Sequence, residues 1–250
     1  MFSFVRLLLV SSVIIIMATA SASCLATTAR YAVKQSSPSL KSPFTLVISQ
    51  GSVVDFSYPP NKNKSAIVNA ANEGCLGGGG VDGAITDAGG PNLAKDRLSL
   101  PIETSEKGWG NVRCKTGDAK ITGPNSYGSL HVPFVIHAVG PNYRAYDSPD
   151  EGDSLLSSAY KASLDRAKEA KLEAVAFSLL SAGIFRGSKS RKDVLQIGMQ
   201  AIFDFESYDE LKEVHVCGFS EAEVDALVEI ANEMRLPEEG TTLETQCTIL

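Results

Sequence analysis

The chain is poor in the side chains that build metal sites and disulfide frameworks. Five cysteines and three histidines are spread over 250 residues. Cys24, Cys75, Cys114, Cys217 and Cys247 show no short paired spacing, so neither a zinc site nor a cross-linked scaffold is expected, and no cofactor. Internal repeats and heptads are absent, which excludes solenoids and coiled coils. A basic excess is missing too. Net charge is −6, and four of the 23 basic residues lie in an N-terminal segment of 54 residues that holds no acid. The remainder carries 19 basic against 29 acidic residues. Nucleic acid requires a basic face to neutralise its phosphates, so that partner class is excluded. A dinucleotide-sized anion would have to be held by local backbone dipoles, because an acidic body cannot attract it over a distance. With 44% apolar and 21% charged residues the chain can bury one sizeable core, and a monomer is expected.

The acid-free segment has its own character. Arg6 precedes an apolar stretch over residues 7–18, and Ala18, Ala20 and Ala22 form Ala-Thr-Ala and Ala-Ser-Ala sites suited to signal peptidase. Residues 1–23 are therefore read as a secretory signal, with an uncleaved membrane anchor as the alternative; Ser11, Ser12, Thr19, Ser21 and Ser23 dilute a span. No stable span is expected once the signal is removed. Residues 27–43 are rich in Ser and Thr and carry Arg30, Lys34 and Lys41. They read either as the second half of a two-part plastid presequence ending near residue 42, or as a solvated linker. The destinations that follow are secretion, the ER lumen or a plastid. The domain is placed at residues 43–236 and an unstructured tail at 237–250. Its end, Cys247-Thr248-Ile249-Leu250, only outlines a prenylation box, since Thr248 fits poorly and a secreted chain never meets the cytosolic transferase.

Between these ends, strands and helices alternate. Strands are expected at 44–50, 65–69, 132–139, 174–180 and 213–217, and helices at 80–88, 92–100, from Asp153, from near Ser190, and to Met234 behind a Ser220-Glu223 capping box. Leu156, Tyr160, Leu164 and Ala167 share one helix face. Residues 101–113 and 141–152 read as connections. This order predicts an α/β fold with a mixed sheet covered on both faces.

One segment carries the chemistry. An apolar strand runs into Asn69-Ala70-Ala71-Asn72, and four glycines, 77–80, precede Val81-Asp82-Gly83. Glycines lacking Cβ can turn several N–H groups toward one point, and a helix starting near Val81 adds the positive end of its dipole. A diphosphate suits such a cradle. Asp82 does not, since a carboxylate repels phosphate; its presence points to a held hydroxyl or a polarised water. Cys75 beside the glycines reads as loop packing, with a nucleophile as the alternative, and Cys217 as a core residue. His137, in an apolar strand beside Gly140-Pro141, reads as a hydrogen-bonded core residue. Arg186, Lys189, Arg191 and Lys192 read as a solvated helix start, or else as a landing place for phosphate or an acidic protein.

At these residues the chain resembles the macro domain family, and within it the MacroD-type ADP-ribosyl hydrolases and O-acetyl-ADP-ribose deacetylases. The resemblance continues through Cys114-Lys115-Thr116-Gly117-Asp118-Ala119-Lys120-Ile121-Thr122, residues 135–141, and Ser181-Ala182-Gly183-Ile184-Phe185, covering about residues 43–234. It implies a three-layer α/β/α domain whose partner is ADP-ribose or an ADP-ribosylated protein. It further implies that Asn72 hydrogen-bonds the distal ribose, Asn69 braces the loop and Asp82 orients or activates the attacking water. Gly78, Gly79, Gly80, Val81, Ser181, Ala182, Gly183, Ile184 and Phe185 would line the diphosphate and ribose, with Phe185 against a sugar face. A module that binds ADP-ribose without turning it over is the alternative. Two positions depart from the family pattern. Ser52, followed by Val53, stands where an aspartate usually accepts from the adenine amino group, and Thr86 stands where a histidine usually helps to place the catalytic aspartate.

Overall fold

The computed structural model describes residues 25–33, 43–106, 110–206, 208–236 and 238. The signal segment, Cys24, Cys247 and nearly all of the expected tail therefore lie outside the described residues.

Seven strands form one mixed sheet: β1 (Ala26–Val33), β2 (Phe44–Gln50), β3 (Ser65–Ala70), β6 (Ala119–Thr122), β7 (Phe134–Ala138), β8 (Ala174–Phe177) and β9 (Glu213–Gly218), in the order β1-β2-β9-β8-β3-β7-β6. A two-stranded hairpin, β4 (Thr104–Glu106) and β5 (Gly110–Val112), stands apart. The central five strands are parallel, and β1 and β6 close the two edges antiparallel.

The near-continuous apolar runs of the central strands are explained by burial on both faces. On one face Ile67, Val135, Ala176 and Cys217 pack against Ile85 and Leu93 of α1 (Val81–Leu98). On the other, Val68, Ile136, Phe177 and Val216 meet Leu156 and Leu164 of α2 (Pro149–Glu169), Val194 of α3 (Arg191–Phe203) and Leu227 of α4 (Glu221–Glu233). Odd and even positions of each strand thus serve different layers. Cys217 is a core residue, and the helix face read from α2 is buried as expected.

Several boundaries differ from the sequence reading, each for a local reason. The sheet begins upstream of residue 43. Ala29, Tyr31 and Val33 are buried at period two, and β1 pairs with β2 through the stretch read as presequence or linker. Arg30 there forms an ion pair with Glu213 at 2.9 Å, and Tyr31 bridges Glu238, inside the segment read as tail. The stretch 101–113, read as a loop, contains the β4–β5 hairpin. Helix α2 starts four residues before Asp153, because Pro149 suits the first helical turn behind Ser148. Helix α1 joins the two helices expected at 80–88 and 92–100 across a kink. There Gly90 adopts φ 61°, and Pro91 has no N–H to donate.

Candidate active site

Because β2, β9, β8, β3 and β7 run parallel, the segments leaving their carboxyl ends share one edge, which is where open α/β sheets bind ligands. Read across the sheet, that edge holds Gly51-Ser52-Val53, then Phe219, then residues 178–187, then 71–80, then Gly140-Pro141. Hydrogen bonds tie neighbouring segments together. The Gly51 N–H donates to the Gly218 carbonyl at 2.9 Å, and the Ser181 hydroxyl donates to the Pro141 carbonyl at 2.8 Å. A Cβ on Gly140 would stand 2.3 Å from that hydroxyl oxygen, so only glycine lets the two segments meet.

The second expected loop divides into an anchor and a rim. Ser181 (φ 55°) and Ala182 are buried, while Gly183 and Ile184 face outward and Phe185 is half-buried. Residues 183–185 thus form the accessible rim, while the Ser181 side chain serves the fold. In the first loop Gly77 (φ 118°) and Gly80 (φ 61°) hold backbone geometry that only glycine adopts freely, and Gly78, Gly79 and Gly80 are exposed. Helix α1 starts at Val81, so its first N–H groups have no partner within the helix and point at this edge.

Beneath that loop lies a buried polar chain. Asp82 is 3% exposed. Its Oδ1 accepts from Asn69 Nδ2 at 2.8 Å and from Arg97 Nη2 at 3.0 Å. Arg97, 1% exposed, also donates through Nη1 to the Thr86 hydroxyl at 2.7 Å. That hydroxyl in turn donates to the Asp82 carbonyl at 2.7 Å. On the other side, Asn69 Nδ2 lies 3.3 Å from His137 Nδ1, and His137 Nε2 lies 3.0 Å from the Thr122 hydroxyl. Burial, helped by the Arg97 charge, holds His137 well below the usual imidazole range. A neutral ring accepting at Nδ1 and donating at Nε2 satisfies both contacts. His137 is thus the hydrogen-bonded core residue the sequence indicated. Burial lowers Arg97 from the ordinary guanidinium value, and Asp82 opposes that shift.

The structure shows what holds each expected side chain. Asn72 is held within the loop: its Nδ2 donates to the Gly77 carbonyl at 2.9 Å and its Oδ1 accepts from the Gly74 N–H at 3.1 Å. Asn69 holds Asp82, at the end of that loop. Asp82 does not face open solvent. Its Oδ2 is buried without a hydrogen-bond partner, 3.0 Å from where a Cβ on Gly78 would stand, and Asn72 Nδ2 lies 3.2 Å from the same point. Ser52 is half-buried and accepts a long bond, 3.4 Å, from the Val54 N–H. Val53 is a core residue and can offer the edge only its backbone. Cys75 and Cys114 are buried together with Ala71 and Val139, which supports the packing role. Their mutual hydrogen bond and burial raise the Cys114 thiol. Among the described residues no group of three or more His, Cys, Asp or Glu could hold a metal ion.

Two residues of this edge escaped the sequence reading. Arg97 carried a usable signal: Asp82, Ile85, Gly89, Leu93 and Arg97 recur at spacings of three and four, so two opposite charges share a buried stripe of α1. Phe219, 74% exposed at the end of β9, lies next to Gly51 and Ser52 through the pairing of β2 with β9.

The sequence profile of the Macro domain matches residues 68–196. A macro domain-containing protein of Caldanaerobacter subterraneus is 36% identical over 176 residues, covering 70% of this chain and 89% of the relative. The O-acetyl-ADP-ribose deacetylase 1 of Pantoea vagans is 43% identical over 127 residues, covering 50% of this chain and 67% of the relative. Among solved structures, the Oceanobacillus iheyensis macrodomain with ADP superposes with a TM-score of 0.63 at 31% identity, over 77% of this chain and 92% of that one. The Trypanosoma brucei macrodomain in complex with ADP-ribose gives 0.57 at 29% identity, over 74% and 68%.

Proposed function

The chain belongs to the macro domain family, and on that footing we propose that it binds ADP-ribose along the carboxyl edge and hydrolyses its esters. The substrates are mono-ADP-ribosylated acidic side chains or O-acetyl-ADP-ribose. Adenosine lies at Ser52 and Phe219, where the edge is apolar and open. The diphosphate takes N–H groups from Gly79, Gly80, Val81, Gly183, Ile184 and Phe185, which supply positive dipole ends without net charge. The distal ribose meets Asn72 and Asp82. The observation that carries the hydrolytic reading is the Asp82 Oδ2, a buried carboxylate oxygen with no protein partner, beside Asn72 and under a glycine-only stretch. Once a ligand shifts residues 77–80, that oxygen can accept from a water and orient it for attack.

The deciding measurement is release of ADP-ribose from a glutamate-linked mono-ADP-ribosylated protein and from O-acetyl-ADP-ribose, for the native chain beside Asp82→Asn. Release by the native chain that the variant loses, with ADP-ribose binding retained, supports the enzyme. Equal inactivity of both overturns it. A second reading, a module that binds without turnover, is favoured by the covering of Oδ2 by Gly78 and by the commitment of Oδ1 to Arg97 and Asn69.

The N-terminal leader enters the same proposal. Cleavage near residue 23 leaves β1 whole, whereas removal up to residue 42 would delete the strand that buries Tyr31. No helix among the described residues is long and apolar enough to cross a membrane. Because β1 is part of the sheet, secretion or the ER lumen fits better than a plastid route ending at residue 42. N-terminal sequencing of the mature chain should find a start near Ser23; a start near residue 43 contradicts it.

A further inference from the structure

We propose that Arg97 is a positioning residue for the distal ribose: its guanidinium fixes one oxygen of Asp82 so that the other is presented to the sugar. The inference rests on reading residues 69–82 as the distal-ribose site, and it adds a residue outside both loops.

Three observations support it. Arg97 grips residue 82 twice, its Nη2 on Oδ1 at 3.0 Å and its Nη1 on the Thr86 hydroxyl, which bonds the Asp82 carbonyl. A fork held at both prongs allows the carboxylate little rotation. Secondly, Oδ1 is saturated by Arg97 and Asn69, while Oδ2 is buried and unpartnered. An orphaned carboxylate oxygen is costly inside a protein, and a sugar hydroxyl between Asp82 and Asn72 would satisfy it. Thirdly, the space is matched. A Cβ on Gly77 would stand 3.2 Å from the Thr86 hydroxyl and 3.8 Å from Arg97 Nη1, so the guanidinium fills the volume directly under the loop. The guanidinium has that volume because residue 86 is small; an imidazole there would compete for it. Thr86 and Arg97 therefore form a matched pair, in which a cation reached from the far end of α1 does the placing.

The test is titration calorimetry on the full chain with ADP-ribose and with ADP, which lacks the distal ribose, for the native protein, Arg97→Lys and Thr86→Val. Lysine keeps the charge and loses the fork; valine keeps the shape and loses the hydroxyl. ADP-ribose affinity should fall about tenfold in Arg97→Lys and about threefold in Thr86→Val, the scale of a charge-assisted and a neutral hydrogen bond. ADP affinity should change less than about twofold in both, because the adenosine and diphosphate contacts are untouched. Equal loss for the two ligands would reveal a structural role, and no loss for either would remove any role; both outcomes overturn the proposal. So does a native chain that binds the two ligands equally. Should Arg97→Lys fail to fold, Thr86→Val decides alone. If the native chain releases no ADP-ribose from its esters, the enzymatic reading fails while the ligand comparison still decides Arg97.

Discussion

Beneath Gly78 the side chains of Asn69, Asp82, Thr86, Arg97 and His137 are joined by contacts of 2.7 to 3.3 Å, and all but the half-buried Thr86 are buried. At the far side of the same edge, Ser52 accepts one long hydrogen bond from its own turn and Phe219 stands 74% exposed. The ribose end is charged, dry and held on several elements; the adenine end is neutral, wet and held on two. Placement and discrimination therefore belong to the first, where each contact is undiluted by water, and contact area to the second.

The largest test of that contrast is stability. Asp82→Ala strands the Arg97 guanidinium in the interior, and breaking a buried pair this way costs about 3–5 kcal/mol. Ser52→Ala removes only a weak cap and should cost less than about 1 kcal/mol. Urea unfolding of both variants measures the two ends against each other, and similar losses would erase the distinction.

Acidity provides the next test. His137 is held neutral in the folded chain, while the unfolded chain takes up a proton near the ordinary value of 6.5. Below that value the unfolded state binds more protons, so stability falls with falling pH, by about 1.4 kcal/mol per unit. That loss develops between pH 6.5 and 5. Urea midpoints of the native chain and His137→Gln should diverge in slope across that window, above the range where carboxylates titrate. Parallel slopes would show that the ring is protonated in the fold.

These features explain what could be read from the sequence and what could not. The first loop was legible because glycine, asparagine and aspartate carry backbone and hydrogen-bonding properties that do not depend on distant neighbours. Strand 44–50 was legible because a strand buried on both faces is largely apolar, here at Phe44, Leu46, Val47 and Ile48. Arg97 was not read, because its partner Asp82 lies fifteen positions away across the Gly90 kink, and a cation near a helix end ordinarily reads as solvated. The first strand was hidden for a related reason. An edge strand needs only alternate burial, and Thr27, Thr28 and Arg30 fill its other positions with residues that resemble a linker. The inward turn of Asp82 follows from that missed cation: a carboxylate judged alone belongs at the surface, and one with a buried guanidinium does not.

Phe219→Ala tests the soft end directly. An exposed ring on which a base stacks is worth about 1–3 kcal/mol. ADP and ADP-ribose affinities should fall together, unlike the selective loss expected for Arg97→Lys, and turnover at saturating substrate should stay unchanged because the ring is remote from the ester. Loss of turnover without loss of affinity would move Phe219 out of the adenine end.

The smallest effect concerns what the adenine end can recognise. A serine hydroxyl already accepting from the Val54 N–H has little acceptor capacity left for an exocyclic amino group. The native chain should therefore bind ADP-ribose and inosine-diphosphate-ribose with nearly equal affinity. Ser52→Asp adds an ionised acceptor at that point; a charge-assisted bond exceeds a neutral one by about 1 kcal/mol, so the variant should prefer ADP-ribose by roughly fivefold. The added charge also lies far from the diphosphate, so repulsion should reduce affinity for both ligands only slightly in physiological salt. Calorimetry with the two nucleotides on both proteins separates these effects: a common shift reports repulsion, a difference reports recognition. Strong preference for ADP-ribose in the native chain would mean that a backbone carbonyl near Gly51 accepts from the amino group, and the soft end would then be selective without any charged side chain.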